Sequence, residues 1–244
     1  MPMWREHWNQ LWRLFFIQSS RNERTLDGLG FFAVVAPRLK RWGGTKPELA
    51  ELAERHLASF NANPLVASYV AGVVVNLEGR RKLGEEVSAE RIDRVKGALA
   101  AALTARADYF FETILLPLGL TISITFAIYN SYIGLAAFLA LHGFYHLQVR
   151  IGGYLTGVSA GEGVSGELVA RLFRSQALLA GMAAFAAGVF TALVFVRANA
   201  AGGVRGMVWG AALMAGVFVA RRRLSFTGSV LVCFAAAVLI AALA

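Results

Sequence analysis

AALTARADYFFETILLPLGLTISITFAIYNSYIGLAAFLALHGFYHLQV, residues 101–149, is the stretch in which this chain changes character. Arg106, Asp108 and Glu112 are its only formal charges, and 113–149 carries none. An uncharged run of that length exceeds one bilayer crossing, which needs about 20 apolar residues. Asn130 and Ser131, near its middle, suit a turn between two crossings. Further on, 175–196, 206–220 and 224–244 are also uncharged, with Arg221, Arg222 and Arg223 forming a basic loop between the last two.

Upstream the composition reverses. Residues 1–108 hold 16 of the 24 Lys/Arg and 12 of the 15 Asp/Glu. The chain therefore reads as an all-α integral membrane protein. An amphipathic and cytoplasmic-side helical region spans 1–108, and a membrane-embedded region spans 109–244. About five membrane segments are expected, the first two also readable as re-entrant. Arginine placement orients them: Arg171, Arg174 and the 221–223 cluster belong on the cytoplasmic side. The N-terminal half is then cytoplasmic and Ala244 outside, with only Arg197 and Arg205 among the outer arginines.

The net charge of +9 does not point to nucleic acid. The basic residues of the first half are mixed with acids, and those of the second flank apolar runs, as membrane orientation requires. Cys233 is the single cysteine, so no disulfide or Cys-rich metal site forms within the chain. The first residues lack the continuous apolar core of a cleavable signal. Instead Trp4, Trp8, Leu11, Trp12, Phe15 and Phe16 recur at helical spacing on one face, with Arg5, Glu6, Asn9, Gln10 and Arg13 opposite. Such a helix lies in the membrane interface, or packs its stripe on a partner.

Further along, 27–30 is turn-prone and 31–42 is a short apolar segment with a basic end. Thr45 and Glu48 form a capping box with Pro47 in the first turn. The helix they start carries Leu49, Leu52, Ala53, Leu57 and Phe60 on one face and ends before Pro64. The apolar run 65–77 is too short to span. Residues 78–90 read as a charged, solvated connection. A further helix starts near Ser88 with Ile92, Val95, Leu99 and Leu103 on one side.

Few residues suggest chemistry. Asp108 and Glu112 stand at i, i+4 where the apolar half begins; like charges there repel on a helix, and carboxylates beside a membrane are costly unless they face a cavity or partner. Either they accept hydrogen bonds from solute hydroxyls or they mark a helix end in water. Asn61 and Asn63 either support that site or merely build the turn before Pro64. Asn22, Glu23 and Arg24 read as a solvated helix start. His142 and His146 have metal-compatible spacing but no evident third ligand, so buried, satisfied histidines are the better reading. The glycines at 152, 153, 157, 161, 163 and 166 match no phosphate loop. No nucleophile motif, nucleotide fingerprint or cofactor site is present in the sequence. An interfacial lipid enzyme is the remaining catalytic reading, resting only on the Trp-rich helix and the acid pair.

The pieces resemble the IID component of the mannose family of the bacterial phosphoenolpyruvate-dependent sugar phosphotransferase system. FFIQSSRNERTLDGLGFFAVVAPRLKRW (15–42) is similar to the family's opening stretch. ERHLASFNANPLVASYVAGVVVNLE (54–78) matches best, with His56-Leu57, Phe60-Asn61, Pro64 and Ala67 where the family shows the same residue types. The chain departs at GALAAALTARADYFFETILLP (97–117). There the family has a Gly/Pro-rich loop ending in Gly-Asp-Ser and then Trp-Gly-Thr. Asp108 and Pro117 keep their relative spacing, Ala100 and Thr104 replace glycines, Arg106 intrudes, and Glu112-Thr113-Ile114 follows. Arg21 also stands where the family has a Trp before its Asn-x-Glu-Arg motif.

The resemblance implies a non-catalytic subunit that forms a translocation unit with a IIC membrane subunit. Hexose is then phosphorylated on entry by a cytoplasmic IIB protein charged by IIA. It further implies a trimer of C–D pairs in the bacterial cytoplasmic membrane. On that reading the residues expected to bind substrate are Asp108 and Glu112, as hydroxyl acceptors, with Asn61 and Asn63 supporting. The altered 97–117 region admits an alternative: a family member that regulates or scaffolds, or moves a different solute.

Overall fold

The computed structural model describes residues 7–41, 45–163 and 173–202. The segments expected at 206–220 and 224–244, with Arg171, Arg205 and the 221–223 loop, lie outside these. The described residues fall into two units, divided between Ala184 and Phe185. The described residues are helical, with no strand among them, only isolated bridges pairing Asn22 with Leu26 and Leu26 with Phe60.

The core of the first unit is one helix. Helix α4, Ala67–Lys82, follows the short α1 (Trp8–Arg13), α2 (Gly28–Arg41) and α3 (Lys46–Leu57). Eleven of its residues are buried, all but one of them in the unbroken run from Ala67 to Val75 and at Leu77. A helix apolar all round belongs inside a protein. It also extends the expectation for this stretch: the helix does not stop at 77 but runs on through Glu78 to Lys82. Residues 78–82 are therefore helix and not connection; Glu78 is buried, Gly79 to Arg81 are half-exposed and Lys82 is exposed.

Helix α1 keeps its aromatics outward, as an interfacial stripe requires, and turns another face inward. Leu11, Leu14 and Ile17 are buried with Gln10. Trp8 (58% exposed), Trp12, Phe15 and Phe16 (59%) face outward. Gln10 is thus a packing residue. The reason lies in α2, which contains Pro37. Proline has no N–H for the carbonyl four residues back, here Ala33, and Arg13 Nη1 donates to that carbonyl at 3.1 Å. The Gln10 carboxamide accepts from the Arg38 N–H and donates to the His7 carbonyl, 3.0 Å each. Two polar side chains of α1 thereby serve the backbone beside the proline. Helix α2 starts at Gly28, so most of the turn-prone 27–30 stretch is already helix.

Helix α3 begins as expected. The Thr45 N–H donates to Glu48 Oε2 at 2.7 Å and the Thr45 hydroxyl accepts from the Glu48 N–H. The Thr45 N–H, helped by Lys82, holds the Glu48 carboxyl below its usual range. Helix α5, Ala89–Asp108, starts at the Ser88 cap, but its buried stripe is Ile92, Lys96, Ala100, Leu103 and Ala107. Val95 and Leu99 are half-exposed, so the stripe is rotated from the one read by hydrophobicity alone.

Helix α5 does not end at Asp108. It passes through a wide π-helical turn, Tyr109–Leu115, into α6, Leu116–Ala127. Pro117 has no N–H for the Thr113 carbonyl and its ring crowds it, and a widened turn just before the proline accommodates this. The resulting helix, Ala89–Ala127, has 39 residues and is the one described helix long and apolar enough to cross a membrane. At 1.5 Å per residue it is about 58 Å long, nearly twice the hydrocarbon thickness.

Helix α7, Ile133–Leu147, returns against α6. Asn130, at the turn, has φ +54°, a left-handed conformation asparagine tolerates. After a second π turn, Gln148–Gly152, comes α8, Gly153–Ala160. Helix α8 lies directly on α4: a Cβ on Gly72 would strike the Tyr154 carbonyl, and one on Gly157 the Tyr69 carbonyl. Gly72 and, from the 152–166 run, Gly157 thus serve close helix packing. Helix α9, Gln176–Gly202, falls where the clean 175–196 segment was read.

Candidate functional site

The turn between α3 and α4 meets the end of α5. Asn63 Nδ2 donates to Asp108 Oδ1 at 2.7 Å, and the Asn63 N–H donates to the Thr104 hydroxyl at 2.9 Å. Asn63 Oδ1 accepts from the Leu65 N–H at 3.0 Å, which fixes the carboxamide with its NH₂ toward Asp108. Asp108 and Asn63, 45 residues apart in sequence, are therefore one half-buried unit. Asp108 Oδ2 has no hydrogen-bond partner among the described residues.

Asn61 sits beside that unit but belongs to a different network. Its Oδ1 accepts from Arg21 Nη2 at 3.2 Å, while Arg21 Nη1 pairs with the buried Asp27 at 2.8 Å. Asn22, far from starting a helix, closes a turn: its Oδ1 accepts from the Arg24 and Thr25 N–H groups. Glu112 is exposed inside the π turn, with no hydrogen bond or ion pair to another described residue. Of the four residues expected at a site, Asp108 and Asn63 touch, Asn61 is held by Arg21, and Glu112 lies one wide turn beyond.

Sequence reasoning missed three contributors. Arg21 was legible only as a departure from a family motif, and Thr104 only as a replaced glycine. The third is a buried ionic cluster. His56 is fully buried and its Nε2 lies 2.9 Å from Glu78 Oε1, with Arg55 Nε at 3.4 Å from the same oxygen. Burial holds the imidazole below its ordinary value against the pull of the Glu78 bond, with Lys96 and Arg55 adding to the lowering. The neutral ring then donates through Nε2. The only hint in sequence was a histidine on the inner face of α3. His142 and His146 stack on each other, ring centroids 4.2 Å apart, and on Phe111 at 6.4 and 5.3 Å. No group of three metal-ligating side chains occurs among the described residues.

Residues 4–201 match the family described as the mannose/fructose/sorbose family IID component of the phosphotransferase system. The mannose-specific EIID component of Escherichia coli (strain K12) is 30% identical over 145 residues, covering 59% of this chain and 51% of the relative. The sorbose-specific EIID component of Lacticaseibacillus casei is 26% identical over 168 residues, 67% of this chain and 60% of that one. The matched part of this chain thus spans about half the length of the curated relatives. A chain in the cryoEM structure of the mannose transporter ManYZ with microcin E492 shares the fold, with a TM-score of 0.61 at 23% identity over 78% of this chain and 70% of that chain. With nearly its whole described length inside the family match, this chain belongs to the mannose/fructose/sorbose family of phosphotransferase-system IID components.

Proposed function

We propose that the chain is the IID subunit of a sugar permease in the bacterial cytoplasmic membrane. It pairs with a IIC subunit, as a trimer of such pairs, and hexose entering through the pair is phosphorylated by IIB, itself charged by IIA. IID contributes no covalent chemistry. In this reading 1–108 is the cytoplasmic-side region and 109–244 the membrane region, with about five segments and Ala244 outside.

The observation that carries the reading is the Asn63–Asp108 hydrogen bond at the head of a π-helical turn. It sits where the charged half of the chain gives way to the apolar half. A carboxylate with one oxygen held by a carboxamide and the other open can accept from adjacent sugar hydroxyls. Glu112 one wide turn on offers a second acceptor, and Asn61 a supporting amide. Widened turns beside a membrane segment are a recurrent transporter device.

Uptake of labelled hexose by cells expressing this chain with its IIC, IIA and IIB partners is the test. Asp108→Ala should reduce uptake at least about tenfold, the scale of losing one charged hydrogen bond. Robust uptake by that variant removes the site assignment.

One observation favours a second reading. Residues 97–117, where the family has a glycine-rich loop, are unbroken helix here. In this reading a member without that loop is a regulator or scaffold, or moves a different solute. Ordinary hexose binding by the purified complex would discard this reading.

A further inference from the structure

A groove of 350 Å³ lies between the Ser59–Phe60–Asn61 turn and one face of α5. Small residues open it: Gly97, Ala100 and Ala101 follow Lys96 on that face. Lys96 is only 5% exposed and lines the groove. Its Nζ stands 4.7 Å from the centroid of Phe31 and 5.3 Å from that of Phe60. No hydrogen bond or ion pair reaches it from a described residue. A nearly buried ammonium between ring faces, with exposed Asp93 as its one attracting charge, lacks the hydrogen-bond acceptor such a group ordinarily finds.

Most of the other polar groups of the groove can donate. Asn61, which lines the groove, gives its oxygen to Arg21, and its NH₂ has no described partner. The Ser59 hydroxyl has no described partner, and Arg55 Nη1, on the α3 side, is buried without an acceptor. Asp93 is the one acidic side chain lining the groove, and it is exposed to solvent. A neutral polyol needs acceptors as well as donors; a surplus of donors around a cation that has no hydrogen-bond acceptor selects an oxyanion.

We propose that this groove binds a phosphate oxyanion, as inorganic phosphate or a phosphate monoester, with Lys96 as its principal contact. The group is supplied either from solution or by a lipid headgroup. This goes beyond the transport reading, and its test does not use solute uptake.

The sequence contains only four lysines, Lys40, Lys46, Lys82 and Lys96, so each can be followed separately. The full chain, purified in detergent from cells that also express its IIC partner, is acylated with a limiting amine-selective reagent and read by mass spectrometry. Phosphate at about four times its Kd leaves one site in five free, so Lys96 should react about fivefold more slowly than in chloride of equal ionic strength. Lys40, Lys46 and Lys82 should not change. A soluble hexose monophosphate protecting as phosphate does identifies a solution ligand. Protection only in nanodiscs containing phosphatidate, against phosphatidylcholine alone, identifies a headgroup.

Gly97→Leu supplies the second arm. A Cβ at Gly97 meets nothing within 4 Å, so the helix accepts it while the side chain grows into the groove. It should abolish protection, with unchanged labelling of the other three lysines reporting an intact fold. Lys96→Met, which keeps the stem and removes the charge, should cancel the phosphate-induced rise in Tm. A Lys96 that no anion protects, or that never reacts, overturns the proposal, as does full protection in Gly97→Leu.

Discussion

Helix α4 and the α6–α7 hairpin are both strongly apolar, and they are used in opposite ways. Ala67 to Val75 is buried against the chain's own helices. The hairpin turns Leu120, Ile124, Ile133, Leu139, Phe144 and Leu147 outward. A contiguous exposed surface of that kind calls for lipid or a partner subunit. What separates the two is the distribution of charge around them. The α4 core is surrounded by ionic groups taken inside, Arg55, His56, Glu78 and Lys96. The hairpin has no formal charge at all. Charge removal should therefore damage the first region and charge addition the second.

The largest effect is expected at Glu78. Glu78→Leu removes the shared acceptor of His56 Nε2 and Arg55 Nε and leaves both in the interior. Breaking one partner of a buried pair costs about 3–5 kcal/mol. The Tm of the purified chain should fall far enough to abolish a monodisperse preparation at room temperature. A Tm within a few degrees of the native chain's would show that the cluster is solvated.

The complementary change comes next. Leu139 is 61% exposed on α7. In a water-facing helix Leu139→Arg would be nearly neutral; at the centre of a bilayer-facing one it costs about 2.5–3.5 kcal/mol. The carbonate-resistant, membrane-integrated fraction should drop sharply for Leu139→Arg and hold for Leu139→Met. Equal fractions would move this face out of the bilayer.

Glycines give a smaller, more local contrast. Gly72→Ala forces a methyl against the Tyr154 carbonyl and the Val158 N–H of α8, backbone that cannot step aside. A loss of about 1–3 kcal/mol is expected, the range for overpacking. Gly143→Ala in α7 meets nothing within 4 Å and should gain up to about 1 kcal/mol from helix propensity. Thermal midpoints of the two variants should move in opposite directions.

What was legible in the sequence were features fixed by neighbours in the chain. The Thr45–Glu48 box, the Ser88 start and the Asn130 turn are all local chemistry. Asp108 stood out because charge disappears just after it, and the contact with Asn63 gives that a partner. Glu78 was misread, and Lys96 passed over, because a charged residue ordinarily faces water. Their inward placement depends on His56 and on Phe31 and Phe60, 22 to 65 residues away in sequence. The outward aromatic face of α1 agrees with a stripe that meets the membrane interface or a partner. Its inner face was not legible, because the polar demands of Pro37 draw Gln10 and Arg13 to α2.

That last relation gives the finest test. Arg13 Nη1 donates to the Ala33 carbonyl, whose helical donor would be the N–H that Pro37 lacks. Arg13→Met keeps much of the packed stem and leaves that carbonyl without its donor, at a cost of about 1 kcal/mol. In a Pro37→Ala background the restored N–H can serve Ala33, so the same Arg13→Met change should cost almost nothing. The double-mutant cycle over the two positions, read from denaturation midpoints, should return a coupling of about 1 kcal/mol. Additive effects would mean that Arg13 acts through its charge or its stacking on Trp12 (5.0 Å to the ring centroid) and not through the proline.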